Sequence, residues 1–188
     1  MNYLRGYIAV FGVAALLSTH YAEAISLALA PSAASVSLGD AVNVDVNIAG
    51  LASGGPPSVG AFDLDVAFDP SVLSPTGVAF GPFLGNPLLF EALTDFKFST
   101  PGIVDFAEVS LLSPFELDVL QPATFSLATL SFTAIGSGTS QFNFAGDIRV
   151  DDPFGNKLSI SIPEPATVIL LGLGFIALCI IRRPLRHP

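Results

Sequence analysis

The sequence predicts an all-β protein, a β-sandwich of short antiparallel strands. Three observations carry this. Apolar and polar residues alternate along several stretches, the period of a half-buried strand. Clusters of Gly, Pro and Asp separate these stretches at short intervals. No stretch between the two chain ends has the period of an amphipathic helix. Eight or nine strands result, with acids facing out and phenylalanines facing in, the pattern of two sheets packed face to face.

The elements follow in order. Ile25–Ala30 is a first apolar strand ended by Pro31, and Ala33–Leu38 leads into a turn at Gly39-Asp40. Val42, Val44, Val46 and Ile48 alternate with Asn43, Asp45 and Asn47, so one face is buried. Leu51–Pro57 is a Gly/Pro loop. In the next strand Phe62, Leu64, Val66 and Phe68 point one way and Asp63 and Asp65 the other, before a turn at Asp69-Pro70 that tucks Val72 and Leu73 against the core. Val78–Phe83 and Leu88–Phe98 read as a long excursion with short strands. Ile103–Leu111 is a clean strand with Val104, Phe106 and Glu108 on one side. Ser113–Gln121 is a loop with room for a helical turn, because Ser113 and Glu116 have capping-box spacing. Phe125–Ala134 changes parity at Ala128-Thr129, the mark of a β-bulge. Gln141–Phe144, Asp147–Val150 and Lys157–Ile162 complete the strands.

The two ends have a different character. Arg5, the apolar run Gly6–Leu17 and Ala22-Glu23-Ala24 have the layout of a secretory signal peptide over residues 1–24, with cleavage after Ala24. At the other end, Ala166–Ile181 carries no charge and spans about 24 Å as a helix, close to a hydrocarbon core of about 30 Å. Arg182, Arg183 and Arg186 follow it without an acid, which places that end in the cytoplasm and the sandwich outside.

Pro163-Glu164-Pro165, the apolar helix and Arg182-Arg183 together resemble the PEP-CTERM sorting signal of exported bacterial proteins. The resemblance divides the chain into signal peptide (1–24), sandwich (25–162) and sorting signal with basic tail (163–188). It implies an exosortase-type processing enzyme as a partner and Glu164 as part of a recognised substrate. The implied location is the inner membrane, at least transiently, and then the cell surface or an exopolysaccharide matrix. A second resemblance covers the sandwich. Val36–Asp40 before the Val42–Ile48 strand, then Gly60–Phe68 with Asp69–Leu73, then Leu127–Phe132, are similar to cohesin domains, which are jelly-roll β-sandwiches. Cohesins of cellulosomes bind dockerin modules, and the fold is related to some carbohydrate-binding modules.

Composition narrows the chemistry. The formal net charge is −9 for the whole chain. The segment 25–161 holds three basic residues against fourteen acids, which argues against nucleic acid as a partner. It has no His, Cys, Tyr, Trp or Met. No Ser-His-Asp or Cys-His unit can be built there, no internal disulfide can form, and zinc lacks its usual ligands. Lys97 and Lys157 sit in no catalytic motif, and the carboxylates Asp63 and Asp65 read as one exposed strand face. Asp147, Asp151 and Asp152 lie near one turn and offer oxygen ligands for calcium, against the alternative of turn hydrogen bonding. Stability has to come from an apolar core, which fourteen of the sixteen phenylalanines supply. The expectation is a non-catalytic interaction module whose docking face carries Asp63 and Asp65 beside Ala61 and Ala67. The alternative is a module for matrix polysaccharide that uses polar contacts or a loop Phe such as Phe83, Phe115 or Phe154.

Overall fold

The computed structural model describes residues 24–162. The expected signal peptide, the Pro163–Pro165 motif, the apolar helix and Arg182-Arg183 lie outside the described residues; of the cleavage site only Ala24 is described. Among the described residues no helix is long and apolar enough to cross a membrane.

Eight strands form two four-stranded sheets, with every named pair antiparallel. The first sheet has the order β1 (Ser26–Pro31), β2 (Ala41–Ala49), β7 (Thr124–Ala134), β4 (Leu73–Phe80). The second has the order β5 (Ala92–Lys97), β6 (Ile103–Ser110), β3 (Ala61–Ala67), β8 (Asn143–Asp151). The interior is built as the alternation requires. Val42, Val44, Val46 and Ile48 of β2 and Leu127, Leu130 and Phe132 of β7 face Phe62, Leu64 and Val66 of β3 and Val104 and Phe106 of β6. Aromatic contacts link neighbouring elements: Phe62 meets Phe106 edge-on at 5.9 Å, and Phe68 and Phe142 flank Phe132 at 5.1 and 5.3 Å.

Several expectations change. The strand after Asp69 begins at Leu73, earlier than Val78, and runs through Pro75; β4 is an edge strand, where a missing N–H is tolerated, and its register shifts between Pro75 and Gly77. The β7 bulge lies at Leu127-Ala128, one residue before the expected place, because Val46 pairs with Ala128 and Asn47 with Ser126. The last two expected strands before the Asp152 turn are one strand, β8, bent where Gly146 takes φ +62°. Ala33–Leu38 contributes only a bridge from Val36 to Gly138, and Lys157–Ile162 only bridges at Lys157 and Ser161. Not all fourteen phenylalanines enter the core: Phe90, Phe96, Phe98, Phe115 and Phe154 are exposed, on the edge strand β5, on connecting loops and, for Phe115, on the short helix that follows Ser113.

The Ser113 capping box forms and starts a two-turn helix, α1 (Pro114–Leu120). Ser113 N–H donates to Glu116 Oε2 at 2.8 Å and Glu116 N–H to Ser113 Oγ at 3.4 Å. Just past the helix, buried Gln121 accepts from Val59 N–H at 2.7 Å and donates to the Val59 and Phe83 carbonyls at 2.8 and 3.1 Å. One side chain thus satisfies three backbone groups and ties three loops together at one end of the sandwich.

Glu108 is the exception inside. It is fully buried on β6, between register partners Phe62 and Thr94, and neither carboxyl oxygen has a hydrogen-bond partner. Burial pushes its carboxyl up from 4.5 to about 8, so at neutral pH it is mostly a neutral acid. Between those two values the folded state keeps a proton that the unfolded state has lost. This group's contribution to stability therefore falls as pH rises from about 4.5 to about 8 and stays low above that. Glu108→Leu removes the linkage. Thermal unfolding from pH 5 to 9 is expected to show a declining midpoint for the native sequence and a flatter, higher one for the variant at pH 9. Parallel declines in both would contradict this account.

Candidate interaction face

The outer face of the second sheet is organised by β3. Its inward residues Phe62, Leu64 and Val66 leave Ala61, Asp63, Asp65 and Ala67 outward. Register adds Ala107 and Asp105 of β6 opposite Asp63 and Asp65, and Ala145 of β8 on the other side of Asp65. The alanines keep this face flat, and Asp63, Asp65 and Asp105 stand on it together with Asp95 of β5.

Their charges are poorly matched. Asp105 lies directly across from Asp65, a like-charge pairing that costs stability. Arg149 lies across from Asp63, but its Nε donates to Asp151 Oδ2 at 2.7 Å. Lys97 lies across from Asp105, yet its Nζ pairs with Asp95 at 3.0 Å. Gly146 packs against Asp65 so closely that a Cβ there would come within 2.8 Å of Asp65 Oδ2. Burial raises the Asp65 carboxyl above the ordinary aspartate value, and the neighbouring Asp105 and Asp63 charges raise it further.

An apolar margin adjoins the acids. Leu93 of β5 and Val109 of β6 are register partners and are 60% and 47% exposed. Beyond them the Pro87–Leu89 turn presents Leu88 and Phe90, 87% and 84% exposed. Phe90 holds φ +60°, a conformation that non-glycine residues rarely adopt. The turn is set by Asn86, whose side chain accepts from Leu88 N–H at 3.0 Å while its own N–H donates to Glu91 Oε2 at 3.0 Å.

The outer face of the first sheet is different. There Thr129 Oγ1 donates to Asp45 Oδ1 at 2.6 Å and Ser131 Oγ to Asn43 Oδ1 at 3.1 Å. These polar groups satisfy one another across β2 and β7.

The turn aspartates do not converge. Asp147 takes Lys157 Nζ at 3.0 Å, Asp151 is nearly buried against Arg149, and Asp152 accepts the Phe154 and Asn156 N–H groups at 2.8 and 2.9 Å. Among the described residues no group of three His, Cys, Asp or Glu side chains is placed to hold a metal ion. Of the loop phenylalanines, Phe83 packs on Phe125 at 5.0 Å, while Phe115 and Phe154 are exposed. Phe154 borders a cleft of about 520 Å³ with Pro56, Pro57, Pro114, Asp118 and Asp152. Asp105, Leu93 and Val109 are the face residues that sequence reading missed. Asp105 and Val109 share an outward parity on one strand, but only the pairing of β6 with β3 and β5 brings them beside Asp65 and Leu93.

Comparison with known proteins bears on both the chain end and the fold. Residues 161–183 match the PEP-CTERM protein-sorting motif, a span that contains Pro163, Glu164, Pro165, Arg182 and Arg183. The motif indicates export through a sorting system to the cell envelope. No curated protein sequence matches the chain. Among solved structures, the sandwich is similar to a type II cohesin domain from the cellulosome of Acetivibrio cellulolyticus, with TM-score 0.62, 18% identity and coverage of 76% of this chain and 94% of that one. A non-cellulosomal cohesin from the archaeon Archaeoglobus fulgidus gives TM-score 0.54, 17% identity and coverage of 74% and 86%. The cohesin of a type I cohesin–dockerin complex from Clostridium thermocellum gives 0.57, 12%, 74% and 94%. The fold is that of a two-sheet, cohesin-like sandwich.

The electrostatics of the face are open to direct measurement. Asp105→Asn removes the charge opposite Asp65. Side-chain NMR titration is expected to show the Asp65 carboxyl moving down toward its ordinary value, with the sandwich stabilised by roughly 0.2–1 kcal/mol at pH 7. An unmoved Asp65 would show that the Asp105 charge plays no part in its titration.

Proposed function

We propose that this chain is an exported, non-catalytic interaction module that docks a protein through the outer face of β5, β6, β3 and β8. On this reading the signal peptide is cleaved after Ala24, the Ala166–Ile181 helix holds the chain in the inner membrane, and an exosortase-type enzyme processes the Pro163–Pro165 segment. The sandwich then stands at the cell surface or in its matrix. The observation that carries the docking assignment is the contrast between the two outer faces. One has cross-strand polar pairs; the other sets Asp63, Asp65 and Asp105 side by side next to exposed Leu93 and Val109. Carboxylates that outnumber the two cations on this face, Lys97 and Arg149, and that lie beside apolar side chains suit a partner that brings basic groups around an apolar centre. The solved cohesin–dockerin complexes among the similar structures support protein binding as the use of this fold.

A second reading has one observation in its favour. The cleft beside Phe154 combines an exposed aromatic ring with Asp118 and Asp152, a combination suited to a sugar ring and its hydroxyls. On that reading the module binds matrix polysaccharide.

One experiment separates them. A photo-crosslinking residue is placed at Val109 or, on the other face, at Ser131, in cells that export the full chain. Docking through the acidic face predicts an adduct with one protein species from Val109, none from Ser131, and its loss in Asp63→Lys/Asp65→Lys. Absence of any adduct, together with saturable glycan-array binding that Phe154→Ala abolishes, would replace this reading with the second.

A further inference from the structure

Two open sheets have four edges, and three of them are blunted. Beside β1 lies Ser161, whose N–H donates to the Ile25 carbonyl at 2.8 Å. One end of β8 is covered by Lys157 and Leu158, and Leu158 N–H donates to the Val150 carbonyl at 2.8 Å. β4 contains Pro75 and shifts register beside it. β5 has none of these devices. Its sequence, ALTDFK, holds no proline or glycine, and among the described residues only β6 pairs with it.

The direction of its backbone groups follows from one bond. Leu111 N–H donates to the Glu91 carbonyl at 2.7 Å, so Glu91 and Leu111 form a hydrogen-bonded pair. Carried along the β5–β6 register, Leu93, Asp95 and Lys97 also turn their backbone groups to β6. Ala92, Thr94 and Phe96 therefore turn theirs to the open edge. The side chains on this edge are uncovered too. Thr94 and Phe96 share the inward parity of buried Phe106, yet both are exposed. Phe96 lies against Phe98 at 5.4 Å, and the two are 44% and 37% exposed.

An antiparallel strand that completes this edge must offer its own free backbone groups to Thr94 and Phe96. β5 of a second copy can do so, in registers that differ by two residues of slide. Asp95 and Lys97, both on the outer face, choose among them. With Phe96 opposite Phe96 of the second copy, Asp95 of each copy stands opposite Lys97 of the other. Sliding the second copy two residues one way sets Asp95 against Asp95, and two residues the other way sets Lys97 against Lys97. The favoured register also puts Phe98 opposite Thr94 and brings the exposed rings of the two copies together on the inner side, away from water.

We propose that two copies of this chain join edge to edge through β5, about a two-fold axis at Phe96, and fuse their second sheets into one. The axis is perpendicular to the sheet, so the two acidic outer faces point the same way. The contact uses the edge and leaves the outer face free, so it stands independently of what that face binds.

The test is the mass of the full chain in detergent micelles, measured by sedimentation across a charge series. The native chain is expected to be dimeric. Asp95→Lys crowds cations at the axis and Lys97→Asp crowds anions, and each is expected to weaken self-association roughly tenfold or more. Mixing the two variants is expected to give a heterodimer, and Asp95→Lys/Lys97→Asp to recover the homodimer. Loss of the Lys97–Asp95 ion pair within one chain, 3.0 Å long, would not be repaired by mixing. Thr94→Pro removes an N–H from the free edge alone, where proline is tolerated, and is expected to leave the melting midpoint in place while the dimer is lost. Should that midpoint fall, the mixing experiment decides by itself. A monomeric native chain would overturn the proposal. So would a dimer that both single charge variants retain, or variants that fail to pair when mixed, since another part of the chain would then be the contact.

Discussion

The two sheets are held together by what lies between them. Residues 24–162 contain no cysteine, so no covalent cross-link supports the domain in the oxidising space where disulfides persist. The apolar interior has to supply the stability, and the rest of the structure conforms to it. Phenylalanine pairs join neighbouring strands, as Phe62 with Phe106, and cross between the sheets, as Phe62 with Phe80 and Phe68 with Phe132. Gln121 closes one end by satisfying three backbone groups that the loops would otherwise bury without partners. Glu108 is admitted to this interior as a neutral acid, an arrangement that ties stability to pH in the direction opposite to that of a salt-bridged carboxylate.

Much of this was legible from alternation. The inward sets of β2, β3 and β6, the capping box at Ser113 and the bulge in β7 follow from local patterns, because each is enforced by neighbours within a few residues. What local pattern cannot carry is pairing between distant strands. Asp63 and Asp65 stood out as an exposed pair, but the like charge opposite Asp65 comes from Asp105, forty residues away in sequence and adjacent only through the β3–β6 register. The start of β4 at Leu73, five residues before Val78, was hidden for a related reason: Pro75 lies inside it. A proline argues against a strand unless the strand lies at an edge, and edge position is a property of the assembled sheet. The turn aspartates illustrate the reverse: their proximity in sequence suggested a cluster, while Lys157, Arg149 and the Asp152 turn draw them to separate partners.

The two outer faces differ in how their polar groups are paired. Cross-strand hydrogen bonds leave the β2–β7 face content with water, whereas the β3–β6 face retains charge repulsion and exposed apolar side chains that the fold itself does not need. The likeness to cohesins concerns the arrangement of strands; the docking assignment comes from this chain's own residues. Meanwhile the edge at β1 receives the end of the sandwich, and the sorting motif begins on the same residue that closes it. Address and fold are therefore one continuous piece of chain.

The most direct test of this account is the intact mass of the protein recovered from the envelope or matrix of cells that make it. The account predicts a chain that starts at Ile25, carries the whole sandwich through Ser161 and lacks Arg182 and Arg183. A mature surface protein that still runs from Met1 to Pro188 would contradict it.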